Sequence, residues 1–235
     1  MPDDRYFFLH LQKTGGLALL ERLRRQFSMA GVYPSPDDGA PPATVISVPY
    51  LLDRWSARQD EIRVVTGHFP LCTTELLGGS FRTFTVLREP VARTLSFLRY
   101  HRKMTPEDRE KPLEEIYDDE ARFEGLIHNH MVKMLALQPD EMTDGVLTRV
   151  DFTAEHLERA TRALRSIDVV GVQEQFEHFC NKLADCFSWD LGDPYRANAT
   201  KPEAVDPSFT RRIEADNALD CALYDIALAA VMNEI

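Results

Sequence analysis

From residue 6 the chain reads Tyr6-Phe7-Phe8-Leu9-His10-Leu11, nearly all apolar and rich in aromatics. That pattern predicts a short strand buried on both faces of a parallel sheet. Lys13-Thr14-Gly15-Gly16 breaks the run, and from Leu17 onward Leu19, Leu20, Leu23 and Phe27 recur at helical spacing among Glu21, Arg22, Arg24 and Arg25. The opening therefore reads as strand, glycine turn and amphipathic helix. Short apolar runs return at residues 45–46, 64–66, 81–87 and 169–172, each followed by a loop and a helical pattern. Alternating strands and helices predict a layered α/β architecture with a central parallel sheet. Residues 31–44 hold Pro34, Pro36, Pro41, Pro42 and Gly39, and read as an irregular surface loop with no element. The charged, proline-punctuated stretch 103–120 reads as a mobile excursion, after which Leu126, Ile127, Met131, Met134 and Leu135 restore helical spacing. A last amphipathic helix is predicted over 216–232, through Leu219, Leu223, Ile226, Ala227 and Ala230.

A length of 235 residues is near the upper end of what one hydrophobic core serves, so a single domain over 1–235 is expected. With 44% hydrophobic and 28% charged residues, the chain has an ordinary globular composition. The net charge of −11 changes the picture more: it opposes a broad nucleic-acid footprint, which needs clustered Lys and Arg, so any anion must be bound locally. The N-terminal residues lack the basic flank and the length of a signal peptide or membrane anchor, which makes a cytoplasmic location and no membrane partner the expectation. Cys72, Cys180, Cys186 and Cys221 form no C-x-x-C pair and are expected to be structural thiols.

The first loop carries candidate chemistry. Gly15 and Gly16 let backbone amides close on an anion while the following helix aims the positive end of its dipole at the same point, and Lys13 adds a full charge. A nucleotide kinase would place its Lys and its magnesium-binding hydroxyl after the glycines, whereas Lys13 and Thr14 precede them.

In that order, His10-Leu11-Gln12-Lys13-Thr14-Gly15-Gly16 resembles the 5′-phosphosulfate loop of the PAPS-dependent sulfotransferases, especially the heparan sulfate 2-O and 6-O branch. The segment from Thr85 to Tyr100, with Arg88-Glu89-Pro90-Val91-Ala92-Arg93 and then Ser96, resembles the same family's 3′-phosphate segment. Three softer matches follow: Asn129 to Ala136, where Met131 and Lys133 stand for the usual Gln and Arg; Val169 to Glu177; and Arg196 to Lys201. The resemblance implies a P-loop-NTPase-like layered fold and sulfuryl transfer from PAPS to a hydroxyl acceptor, with PAP as product. Because sulfate bears one charge fewer than a terminal phosphate, backbone amides and Lys13 can hold it without a magnesium clamp, so no metal is expected. The resemblance places Lys13, Thr14, Gly15, Gly16 and Leu17 around the phosphosulfate, Arg88 and Ser96 at the 3′-phosphate, and Asn198 and Lys201 in a loop closing over the nucleotide.

Within that frame Lys13 is the expected stabiliser of the leaving phosphate oxygen, and His68, at the end of the run from Val64, the expected general base. His10, Glu75 and Glu89 are the rival bases, and His128 and His130 are placed to face an acceptor. The acceptor is expected to be a small-molecule or carbohydrate hydroxyl, with residues 31–44 and 103–120 as pocket walls; the acidic composition disfavours a polysulfated glycan. Two other readings stand beside this one. A P-loop-type kinase of a small metabolite would need ATP, magnesium and a Walker-type carboxylate. A catalytically weak nucleotide-binding interaction module is suggested by Leu17, in place of a hydroxyl residue, and by Met131. Nothing in the sequence fixes the oligomeric state.

Overall fold

In the computed structural model, which describes residues 4–192 and 204–233, the first apolar run forms β1 (Arg5–Leu9) and leads through the glycine turn into α1 (Gly16–Phe27). The chain continues through β2 (Val32–Tyr33), α2 (Ala43–Ile46), α3 (Val48–Arg58), β3 (Val64–Gly67), α4 (Thr73–Leu77) and β4 (Phe81–Leu87). Next come α5 (Pro90–Met104), α6 (Leu113–Tyr117), α7 (Glu120–Arg122), α8 (His130–Ala136) and α9 (Ala154–Ser166). Finally β5 (Val169–Val172), α10 (Phe176–Phe187), α11 (Pro207–Asp216) and α12 (Ala218–Met232) follow. The five strands form one sheet in the order β2-β3-β1-β4-β5, with every pairing parallel. No helix among the described residues is long and apolar enough to cross a membrane.

Both faces of the sheet are covered, which is why its strands read as unbroken apolar runs. On β1 the period of two sends Phe7 and Leu9 to one side, into a core with Val65, Leu87, Val172 and residues of α3, α8, α9 and α12. Tyr6 and Phe8 point the other way, against Phe84, Val86 and Leu19 and Leu23 of α1, with Phe179 and Leu183 of α10. A third cluster joins Leu95, Phe97 and Leu98 of α5 to Leu113, Ile116 and Tyr117 of α6 and Phe209 and Ile213 of α11.

Four expectations from the sequence are corrected here. Residues 31–44 are not element-free: Val32 and Tyr33 pair with Val64 and Val65 as the edge strand. Beyond it, Pro36–Asp38 form a 3₁₀ turn whose Asp38 side chain accepts from Ser35 N at 2.8 Å and pairs with Arg58. The apolar pair 45–46 belongs to the short helix α2 rather than to a strand. The stretch 103–120 is no mobile excursion, because Leu113, Ile116 and Tyr117 are buried under α5, and Asp108, itself buried, pairs with Arg122 at 2.7 Å and Lys111 at 3.2 Å. Helical spacing over 123–137 conceals a break: a π turn over Phe123–Ile127 ends at His128, and Asn129 takes φ 43 before α8 begins.

That break is held by reciprocal capping. Asn129 Oδ1 accepts from the backbone amides of Leu219 and Asp220 at 3.1 Å each, at the start of α12. Asp220 in return accepts from Met131 N at 3.1 Å and Val132 N at 2.8 Å, at the start of α8. Each side chain satisfies amides that the other helix leaves orphaned at its N-terminus. Burial pushes the Asp220 carboxyl up to about 6, against the pull of Arg93 and of the two amides. Asp220→Asn keeps one acceptor oxygen and turns an NH₂ toward the second amide, so it is expected to cost about 2 kcal/mol of stability. The urea midpoint at pH 7.5 checks this, and an unchanged midpoint would show that the paired caps contribute nothing.

Candidate functional site

Strand order decides where a ligand can enter. The connection that leaves β1 runs through α1 toward β2, while the one that leaves β4 runs toward β5 on the opposite edge. Neighbouring strands whose connections diverge leave a crevice beyond their carboxyl ends. The loop after β1, residues 10–15, and the start of the segment after β4, at Arg88, both lie at that crevice. The two are tied together, since Arg88 Nη1 donates to the Lys13 carbonyl at 2.9 Å. A cleft of about 400 Å³ opens there, lined by Lys13, Gly15, Gly16, Leu17, Arg88, Ser96 and His68 among others.

The loop's shape follows from its residues. Gly15 has φ 92 and caps α1 from the left-handed region, which glycine enters without the steric cost a side chain would carry. At Gly16 an added Cβ would sit 1.9 Å from His10 Nε2, so the missing side chain is what lets the His10 ring pack beneath the turn. His10 also stacks on Phe8 with ring centroids 5.0 Å apart. The helix behind the loop is clamped to α10 by Arg22, whose Nη2 reaches Glu177 Oε1 at 2.8 Å and Oε2 at 2.9 Å. Thr14 is buried, and its hydroxyl donates to the Leu11 carbonyl at 2.8 Å. Its side chain braces the loop and does not line the cleft. Leu17, in the first turn of α1, is 72% exposed.

Two cations face the cleft. Burial lowers the Lys13 amine below its ordinary value, and nearby Arg88 lowers it further. The Lys13 ammonium lies over the Tyr100 ring, 4.0 Å from its centroid. Arg88 is also lowered by burial, against the opposing effect of Glu174 and Glu89. Its Nε has no partner among the described residues, so a donor is left over beside the crevice. Ser96 lies on α5, eight residues after Arg88, and lines the same cleft.

His68 follows directly on β3 and opens onto the cleft. Its Nδ1 donates to the His10 carbonyl at 2.9 Å. A carbonyl only accepts, so the proton sits on Nδ1 and the free lone pair on Nε2. Burial lowers the His68 imidazole below its ordinary value, the bond to His10 opposes this, and Lys13 lowers it further. The ring is thus neutral at physiological pH. His10 is held well below its ordinary value by burial, then by His68 and Lys13.

Of the rival bases His10 lines the cleft, whereas Glu75, Glu89 and the residues expected to face an acceptor lie elsewhere. Glu89 is the N-cap of α5, accepting from Val91 N at 2.8 Å and Ala92 N at 2.6 Å. Glu75 lies on α4 and borders a different depression, beside Cys72 and Arg159. His128 is wedged between Phe123 and Phe152, at centroid distances of 5.0 and 4.9 Å. His130 is fully buried, and its Nε2 accepts from Gln12 N at 3.4 Å. Met131 and Lys133 are buried as well, the Lys133 ammonium donating to the carbonyls of Gly125 at 2.6 Å and of Glu124 and Thr148 at 3.1 Å. Arg93, also buried, donates to the carbonyls of Leu126 and Ile127 at 3.3 and 3.0 Å. Asn198 and Lys201 lie outside the described residues.

Sequence reasoning gave no role to Tyr100, His101, Gln12 or Gln173, all of which line the cleft. Two signals were available: Tyr100 lies one turn beyond Ser96 on α5, and Gln173 follows the carboxyl end of β5. Compared with known proteins, the chain matches no family model and no curated protein.

Proposed function

We propose that this chain is a PAPS-dependent sulfotransferase with a P-loop-NTPase-like sheet, moving a sulfuryl group from PAPS to a hydroxyl acceptor. The observation that carries the reading is the bond from Arg88 to the Lys13 carbonyl, which brings two anion-suited loops to one crevice. PAPS has two anionic ends, and a cleft lined by Lys13 and the glycine turn together with Arg88 and Ser96 offers groups suited to both. The spare Arg88 Nε donor fits the same assignment.

In the reaction the acceptor oxygen forms a bond to sulfur as the bond from sulfur to the phosphate oxygen breaks in line. Negative charge grows on that phosphate oxygen, where the Lys13 ammonium and the loop amides stabilise it. The acceptor's proton passes to His68 Nε2, the one ring nitrogen with a free lone pair. Both cations of the cleft are then engaged by the donor, and the remaining lining groups such as Gln12, Gln173 and Leu17 are uncharged. The acceptor is accordingly a small hydroxyl compound of low charge.

Calorimetric titration with adenosine 3′,5′-bisphosphate and with ADP, both in EDTA, tests the donor site without knowledge of the acceptor. The bisphosphate is expected to bind more tightly, and Arg88→Ala to weaken it roughly 10- to 100-fold and erase the preference. Equal binding of ADP, or binding that demands magnesium, would overturn the reading in favour of a kinase.

A further inference from the structure

Lys13 is held at both ends. Its carbonyl accepts from Arg88, its backbone takes φ 68, which is uncommon outside glycine, and its ammonium rests over the ring of the partly exposed Tyr100. Among the described residues no carboxylate acts on this amine; Arg88 is the charge that does. The absence of a carboxylate partner is chemically useful. A carboxylate at Lys13 would neutralise the ammonium and compete with any arriving anion, whereas an aromatic face attracts the cation through its quadrupole and leaves the full charge in place. An ammonium also has three donors in a compact head, so an anion can be bonded on one side while the ring stays on the other.

We propose that Tyr100 is a positioning residue for Lys13, its ring holding the ammonium at the cleft in the position from which it meets the phosphate end of the donor. The proposal rests on the sulfotransferase reading for the identity of the anion, but not for the contact itself. Ring and amine come from separate elements, the loop after β1 and the third turn of α5, so their meeting fixes the loop against the helix that carries Ser96. The phenol oxygen plays no part, and only the ring face is required.

The test uses the full chain as wild type, Tyr100→Phe and Tyr100→Leu, each with and without Lys13→Met. Calorimetry with adenosine 3′,5′-bisphosphate is expected to show Tyr100→Leu weakening binding roughly five- to tenfold and Tyr100→Phe staying within about twofold. In the Lys13→Met background the Leu substitution is expected to change nothing, because the partner is gone. A Leu effect that persists without Lys13, or a Phe variant as weak as Leu, overturns the proposal in favour of a packing role. NMR titration of the Lys13 side chain separates this outcome from failure of the donor reading. If the bisphosphate binds no better than ADP, the donor reading falls; Lys13 losing its proton at lower pH in the Leu variant alone still upholds the contact. Identical Lys13 titrations in all three proteins overturn it.

Discussion

Lys13→Ala is expected to slow sulfuryl transfer by roughly 10²- to 10³-fold, the range found when one preorganised donor to a developing oxyanion is removed. The argument is electrostatic. Charge builds on the phosphate oxygen only as the bond to sulfur breaks, so a cation already placed there favours the transition state more than the bound donor. Loss of turnover should therefore exceed loss of PAP affinity. Lys13→Arg is not expected to rescue fully: a guanidinium can stack on Tyr100, but its charge is spread over a wider head on a longer reach than the compact ammonium that meets the leaving oxygen. PAP release from PAPS, followed with a panel of simple alcohols and phenols and with water as background, reads both variants. An equal fall in turnover and affinity would assign Lys13 to binding alone.

His68→Ala is expected to lower turnover by about 10²-fold while PAP affinity stays within about twofold. The pH profile is the sharper measurement. Because the folded-state value of His68 is depressed, the neutral, proton-accepting ring predominates at neutrality and is lost only as pH falls below 6.5, the ordinary histidine value. Turnover in the wild type should rise with pH through a point under 6.5 and then level off, and the acid limb should vanish in His68→Ala. His10 and His130 are held well below the ordinary value by burial, so their protonation also falls on the acid side of it and the limb must be read together with PAP binding, which reports loss of the loop rather than of the base. An acid limb that survives in His68→Ala with PAP binding intact would remove His68 as the base.

The sequence made much of the fold legible because burial on both faces of a parallel sheet demands continuous apolar runs, and β1, β3, β4 and β5 all fall on such runs. It was less legible where local pattern and tertiary packing disagree. Val32 and Tyr33 lie among prolines, and only pairing with Val64 and Val65 makes them a strand. Leu113, Ile116 and Tyr117 sit in a charged, proline-marked stretch whose polarity hides the three side chains that bury it. The helical spacing of residues 123–137 carried no sign of the kink at Asn129, because the groups that stabilise it come from residues 217 to 220.

The same division runs through the candidate site. The motifs and the family resemblance they carry singled out Lys13, Thr14, Gly15, Gly16, Leu17, Arg88, Ser96 and His68, and all of these except Thr14 line one cleft. Those residues carry strand-end and helix-start signals of their own, and such signals are local. What the sequence could not decide was which polar groups are already engaged. Thr14 bonds the Leu11 carbonyl, Glu89 caps α5, and Lys133 and Arg93 are taken up by backbone carbonyls in the interior. Nor could it show that Lys13 rests on Tyr100, or that the His10 carbonyl fixes the tautomer of His68. Composition and periodicity determine which segments must be buried, because that depends on each segment's own apolar surface. The state of a polar side chain depends on partners up to a hundred or more residues away, as with Gln12 and His130, and only the tertiary structure supplies them.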